Sequence, residues 1–246
     1  MKISVTRQFQ PKSPTMNTSM VMDHFGIDFQ RGDITIIPEL ELPIENGQIV
    51  LCTGPSGSGK SSLIRAVADE LEEVLDIDQI RWEEKPLVDL LGLPVDEALS
   101  LLAACGLGEG RLALRSPGEL SDGQRFRFRL ALAFARRPNW ILCDEFTATL
   151  DRKLAELVAW NMPRLAKRFQ TGMLLATTHE DIVKPVQPDL HVRCLGEGVV
   201  EWSDYGGKKK EATSSTGSGL AKEPKPTGRT SLGGIIEVII WASFVG

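Results

Sequence analysis

The sequence predicts an α/β fold with a mainly parallel sheet. Two observations carry that expectation. Short uncharged runs (Gln48–Thr53, Trp140–Cys143 and Met173–Thr177) alternate with longer stretches of helical periodicity, as when buried parallel strands are joined by crossover helices. The second is Gly54-Pro55-Ser56-Gly57-Ser58-Gly59-Lys60-Ser61, which satisfies G-x-x-x-x-G-K-[ST]. It lies after a strand pattern and before a helical one, the context that gives the motif its meaning.

Composition bounds the rest. The chain has 246 residues, 42% of them hydrophobic and 25% charged, which fits a globular protein with a sizeable core. A net charge of −5 argues against a nucleic-acid-binding polycation. Cys52, Cys105, Cys143 and Cys194 form no C-x-x-C pair, so reduced thiols and a cytoplasmic location are expected. The first residues lack an apolar stretch of signal-peptide length, and no run is long enough to span a membrane.

Along the chain, residues 1–20 combine a short strand pattern, Ile3–Gln8, with a polar stretch, and read as a loosely docked leader. Residues 21–204 read as the α/β domain. Ile34–Ile37 and Gln48–Thr53 are expected strands, separated by the turn-forming Glu45-Asn46-Gly47. Lys60–Leu75 places Leu63, Ile64, Val67, Leu71 and Val74 on one helical face, and Val95–Cys105 reads as another helix. Gln124–Arg137 fits helical spacing through Phe126, Leu130, Ala133 and Phe134, although Phe126-Arg127-Phe128-Arg129 imitates a strand. Asp151–Phe169 is an expected helix bent near Pro163. Residues 205–234 are rich in Gly, Ser, Thr, Lys and Pro, and read as a flexible linker. The apolar run 235–246 is too short to span a bilayer. It fits an added edge strand, a partner-docking segment or an out-of-frame end.

The motif residues assign chemistry. The glycines of Gly54–Ser61, followed by Ser62, let backbone N–H groups face phosphates at a helix N-terminus. Lys60 would pair with the β- and γ-phosphates of ATP, and the Ser61 hydroxyl would ligate Mg²⁺. Trp140-Ile141-Leu142-Cys143-Asp144-Glu145 is an uncharged strand ending in two carboxylates. Asp144 would hold Mg²⁺ through water, and Glu145 would polarise a water for in-line attack on the γ-phosphate.

Three further segments give the chain its resemblance to the ABC (ATP-binding cassette) ATPase family. Leu120-Ser121-Asp122-Gly123-Gln124 resembles the family's signature motif, with Asp122 where glycine is commoner. Asp144–Asp151 resembles the Walker B segment running into the D-loop, with Phe146 where proline is usual, and Thr177-Thr178-His179-Glu180 resembles the switch-histidine segment. The resemblance covers about residues 21–202. It implies a RecA-type P-loop core, ATP and Mg²⁺ as ligands, and an ATP-dependent homodimer. One protomer would supply Gly54–Ser61, Asp144, Glu145 and His179, and the other Ser121–Gln124, with Asp151 in the D-loop. By the same resemblance, Phe29, with Phe25 second, stands for the adenine-stacking aromatic, and Gln79 for the glutamine that senses metal and water.

Lys60 and Ser121 are 61 positions apart, shorter than in typical transporter subunits, which implies a reduced helical subdomain. The segments Lys85–Gly92, Glu119–Arg129 and Asp144–Arg152 look most like soluble ABC-type ATPases found alone or fused to a GNAT-type acetyltransferase domain. The expectation is therefore a soluble, non-transport ATPase that drives a conformational change in an unidentified protein or nucleic-acid partner. The alternative is the ATP-binding subunit of a membrane transporter. Arg125, Arg127, Arg129, Arg136 and Arg137 read either as a nucleic-acid patch or, with more weight, as a helix face with internal pairs. Tail lysines Lys208, Lys209, Lys210, Lys222 and Lys225 would add phosphate affinity.

Overall fold

A computed structural model describes residues 1–10, 12–29 and 32–204, together with the backbone of 210–211. Strand β1 (Lys2–Phe9) buries Ile3 and Val5 and pairs antiparallel with β2 (Gly32–Glu41). Between them lies α1 (Met16–Phe25), capped by Thr15 and burying none of its residues. Of residues 1–20, expected as a loosely docked leader, 2–9 pair as a strand, whereas α1 buries none of its residues. Their strand has a partner, and that partner lies beyond an intervening helix, where local sequence gives no sign of it.

Next come β3 (Ile49–Thr53), buried at every position, and α2 (Lys60–Asp69), which buries Leu63, Ile64 and Val67. The helix stops earlier than expected. Glu73 takes φ +53°, and Val74 leaves the helical face to open the edge strand β4 (Val74–Asp76), opposite Trp140. The helical segment that follows is short, as expected: α3 (Leu87–Leu90), α4 (Val95–Ala104) and α5 (Gly110–Ala113).

Helix α6 (Asp122–Arg136) settles the ambiguous Phe-Arg alternation. Ser121 and Gln124 close a capping box at its start, and both Phe126 and Phe128 are buried from the helix. After it come β5 (Trp140–Cys143), α7 (Arg152–Phe169) with Pro163 inside it, β6 (Gly172–Thr177) and α8 (Val183–Val186). A hairpin then joins β7 (Leu190–Gly196) to β8 (Val199–Asp204). Glu197 and Gly198 both have positive φ, 50° and 78°, as a type I′ turn requires. The backbone of β9 (Lys210–Glu211) pairs with β8.

Among the described residues the main sheet has the order β4-β5-β6-β3-β7-β8-β9. The strands from β4 to β7 are parallel, and β8 and β9 are antiparallel. Alternating side chains of β3 divide two cores. Leu51 faces a core built with α4, α6 and α7, whereas Val50 and Cys52 face one built with α2, β1 and β2. The P-loop therefore leaves a rigid, doubly covered strand at its C-terminal end, where ligands of open α/β sheets bind.

The four cysteines are free and buried. Burial pushes the Cys105 thiol up to about 12 and the Cys194 thiol up to about 11, so neither is a nucleophile at neutral pH. Among the described residues no helix is long and apolar enough to cross a membrane. The expected linker 205–234 (apart from the β9 backbone), its lysines and the apolar run 235–246 lie outside the described residues.

Candidate functional site

The phosphate loop takes its shape from its glycines. Gly54 has φ +144°, and a Cβ there would lie 2.0 Å from the Cys194 carbonyl oxygen, so only glycine fits between β3 and β7. Gly59, at φ +94°, turns the chain into α2 with its α-carbon against Ile36 and Ile37 of β2. Lys60 is buried and donates from Nζ to the Pro55 carbonyl at 2.8 Å, so the ammonium lies inside the loop it closes. Ser58 Oγ is buried and has no hydrogen-bond partner among the described residues.

A cavity of about 370 Å³ opens above this loop. Ser56, Gly57, Gly59, Lys60, Ser61 and Ser62 line it from the P-loop side. Asp144, Glu145, Ala148, Ala176, Thr177 and Thr178 line it from β5 and β6, and Arg7 and Ile36 from β1 and β2. Parallel register brings the distant segments together. β3, β5 and β6 are adjacent strands, so their C-terminal ends open onto one edge. There the Ser61 hydroxyl donates to Asp144 Oδ1 at 2.9 Å, and Arg65 donates to Asp144 Oδ2 at 3.3 Å. A hydroxyl beside a carboxylate, both open to a cavity next to a lysine, is an oxygen donor set suited to Mg²⁺ with phosphate.

Glu145 lines the cavity with φ +53°, a left-handed backbone uncommon outside glycine. Two hydrogen bonds hold that turn: Glu145 N–H to Asp144 Oδ1 at 3.0 Å, and Phe146 N–H to the Ala176 carbonyl at 2.6 Å. The fully buried Phe146 packs its ring against Phe126 of α6, so an aromatic anchor occupies the usual proline position. His179 is just outside the cavity lining. Its Nδ1 is 3.5 Å from Thr147 Oγ1, and its N–H donates to Thr177 Oγ1 at 3.1 Å.

Other expected site residues lie apart from this cavity. Ser121 and Asp122 are exposed at the start of α6. The Ser121 hydroxyl accepts from Gln124 N–H at 3.3 Å, and Gln124 Oε1 accepts from Ser121 N–H at 3.1 Å. Gly123 lies against the carbonyl of Thr149, and Asp151 caps α7 by accepting from Leu154 N–H at 3.0 Å. Gln79 donates to Asp76 Oδ2 at 3.1 Å and lines a separate groove with Arg65 and Leu142. Phe29 is half-buried in a groove shared with Phe9, Ile27 and Arg7, and Phe25 is exposed on α1 against His24.

The arginines after the signature do not make a nucleic-acid patch. Arg127 is buried and donates to the carbonyls of Gly123 and Gly106; burial lowers its pKa. Arg129 pairs with Asp78 at 2.8 Å over the Trp82 ring, and Arg137 pairs with Glu97 over Phe169. Arg125 donates to the Leu120 carbonyl and Arg136 to that of Arg81. All five are occupied within the fold.

Sequence reasoning missed Arg7, Ile36 and Ala148 on the cavity wall and Arg65 beside Asp144. For Arg7 a signal existed. Residues 3, 5 and 7 share one face of a strand, and the first two are apolar.

The profile of the family described as ABC transporter matches residues 37–96. The cytochrome c biogenesis ATP-binding export protein of Maricaulis maris is 32% identical over 65% of this chain and 86% of its own length. The lipoprotein-releasing system ATP-binding protein of Novosphingobium aromaticivorans is 31% identical over 70% of this chain and 94% of its own. Other curated relatives are longer. The chain spans about half the length of an uncharacterized ABC transporter ATP-binding protein of Sinorhizobium fredii (54%) and of the sulfate/thiosulfate import ATP-binding protein of Synechocystis (47%). A bacterial ABC transporter cassette solved as a dimer has the same fold, with a TM-score of 0.58, 20% identity, and coverage of 87% of this chain and 100% of that one.

Proposed function

The chain belongs to the ATP-binding cassette family, and from that premise we propose that it is the ATP-binding and ATP-hydrolysing subunit of a membrane transporter. The observation that carries the ATPase reading is the Ser61–Asp144 hydrogen bond beside Lys60 and Glu145 in one cavity. Lys60 and the P-loop N–H groups hold the triphosphate. Ser61 and Asp144 would hold Mg²⁺, which supplies charge neutralisation at the β- and γ-phosphates. Glu145 takes a proton from water as its oxygen attacks the γ-phosphorus in line and ADP leaves. His179, steadied by Thr147, faces the γ-phosphate and that water. Phe29, with Phe9 in the same groove, is the proposed adenine platform, and Gln79 the proposed metal-and-water sensor.

Ser121 and Asp122 are exposed, Gly123 and Gln124 are half-buried, and none of the four lines the cavity of its own chain, which leaves the segment available to the cavity of a second copy. That placement supports the ATP-dependent, isologous homodimer proposed here. The dimeric cassette of the same fold supports it.

The transporter reading rests on the relatives, whose names describe import, export and lipoprotein-releasing systems. One observation favours the second reading, a soluble ATPase acting on a protein or nucleic acid: α3 and α5 have only four residues each, leaving a small surface for a membrane partner. One experiment separates the two. A Glu145→Gln protein should be incubated with cell membranes and ATP, and its binding measured before and after alkaline extraction and in salt. ATP-dependent retention by a membrane-spanning protein supports transport. Retention only by soluble protein or nucleic acid sinks it.

A further inference from the structure

The β1–β2 ribbon contributes more than a cover for the core. Residues 3, 5 and 7 of β1 point to one face; Ile3 and Val5 are buried there, and Arg7 lies on the wall of the phosphate cavity together with Ile36, Gly57, Gly59 and Lys60. Arg7 is exposed, beyond a register shift of the ribbon between Val5 and Thr6, so the strand carries a cation at the open rim of the cavity where Ile3 and Val5 are buried and apolar. Among the described residues Arg7 has no carboxylate partner, and its guanidinium carbon is 5.8 Å from the Phe9 ring centroid.

The electrostatics of that wall are one-sided. Arg7 and Lys60 line the same cavity, and the N-terminus of α2 adds a positive partial charge. The cavity's two carboxylates enter from the β5 side, and Asp144 already accepts from Ser61 and Arg65. Cations gathered at a helix N-terminus without a paired anion are stabilised by an anionic ligand. Arg7 also lines the groove that holds Phe9, Ile27 and Phe29, so it stands where the phosphate cavity meets the aromatic groove.

We propose that Arg7 is a second phosphate-binding cation of the nucleotide site, its guanidinium donating to oxygens of the triphosphate from the β1 wall. This rests on the nucleotide-binding reading and adds to it a contact from outside the P-loop.

The test is a calorimetric titration of the full chain with inorganic tripolyphosphate and with ATP at two salt concentrations. The variants are Arg7→Ala and Arg7→Lys. Arg7→Ala should weaken both ligands by about ten-fold at low salt, the scale of one charge-assisted hydrogen bond at a partly exposed site, and should flatten the salt dependence. Arg7→Lys should recover most of the loss, because it keeps the charge. Tripolyphosphate has no base, so its loss reports on phosphate contact alone. Tripolyphosphate binding by Arg7→Ala equal to wild type would overturn the proposal, as would a loss confined to ATP, which would move Arg7's role to the Phe9 groove. Failure of the wild type to bind either ligand would remove the nucleotide reading itself, and the Arg7 contact with it.

Discussion

The Ser61 hydroxyl donates to Asp144 Oδ1 at 2.9 Å, joining the first turn of α2 to the end of β5 across 83 positions of sequence. Those two oxygens are the donor set through which a divalent cation would be held, Asp144 acting through water. Asp144→Asn keeps the shape and an acceptor but removes the charge. The Mg²⁺ concentration needed for half-maximal ATP binding should rise about 10- to 100-fold, as for loss of an outer-shell metal partner. Titration of Mg²⁺ at fixed ATP measures this. An unchanged midpoint would take Asp144 out of the metal site.

Gly172 opens β6 directly beneath Trp140, the large buried side chain that starts β5. A Cβ at 172 would lie 2.6 Å from the indole ring. The indole is fully buried and cannot move aside without opening the core behind α2. Gly172→Ala should therefore cost about 1–3 kcal/mol by overpacking. In a chain of this size that lowers the melting temperature by about 2–4 °C per kcal/mol. A thermal melt followed by circular dichroism checks it, and a variant that melts with wild type would show the contact to be relaxed.

What the sequence disclosed and what it hid have separate physical causes. The P-loop, Asp144, Glu145 and the Ser121 cap were legible because each is a local signal: a glycine pattern at a strand–helix junction, an uncharged strand ending in carboxylates, a Ser-x-x-Gln box. Strands β3, β5 and β6 were legible because parallel strands buried on both faces are short and uncharged. The end of α2 was not, because Leu71 and Val74 keep the apolar spacing of the helix although it has already ended at Asp69. The pairing of β1 with β2 was hidden by α1, which separates the strands and buries nothing. Arg7 had a local signal in the alternation of residues 3, 5 and 7, but its place on the cavity wall was not legible because it depends on that pairing. Internal pairing of Arg127 and Arg129 was expected, but their partners, Gly106 and Asp78, were not legible because they lie far away in sequence.

Asp122 is mostly exposed beside Ser121, with Arg125 3.7 Å away as its ion-pair partner. In a dimer closed over two ATP molecules, this carboxylate would approach the partner's γ-phosphate and oppose closure. Asp122→Gly should therefore tighten the ATP-dependent dimer, and Ser121→Arg should abolish hydrolysis while leaving ATP binding by the monomer intact. Sedimentation velocity with ATP and without Mg²⁺ reports the dimer, and phosphate release with Mg²⁺ reports the hydrolysis. A weaker dimer for Asp122→Gly would reverse the sign argued here, and specific activity that is constant on dilution would remove the dimer from the mechanism.

Glu145 is the carboxylate best placed to take a proton from the attacking water. Asp144, the residue before it, is turned toward Ser61 and Arg65, whereas Glu145 is exposed to the cavity by its left-handed backbone. That turn is held by the Asp144 carboxylate and by the Ala176 carbonyl, so the conformation does not depend on the Glu145 side chain. Glu145→Gln should therefore preserve the cavity, keep the hydrogen bonding to water, and lose only the ability to accept the proton. Hydrolysis should fall by about 10²–10⁴, the usual cost of removing a general base, while ATP affinity survives. On a sizing column the variant should run as a dimer with ATP and as a monomer with ADP, and wild type should return to monomer as its ATP is consumed. A variant keeping more than about a tenth of wild-type turnover would be too active for a lost general base. The proton would then have to go elsewhere, with His179, next to Thr147 and just outside the lining of that cavity, the residue to replace next.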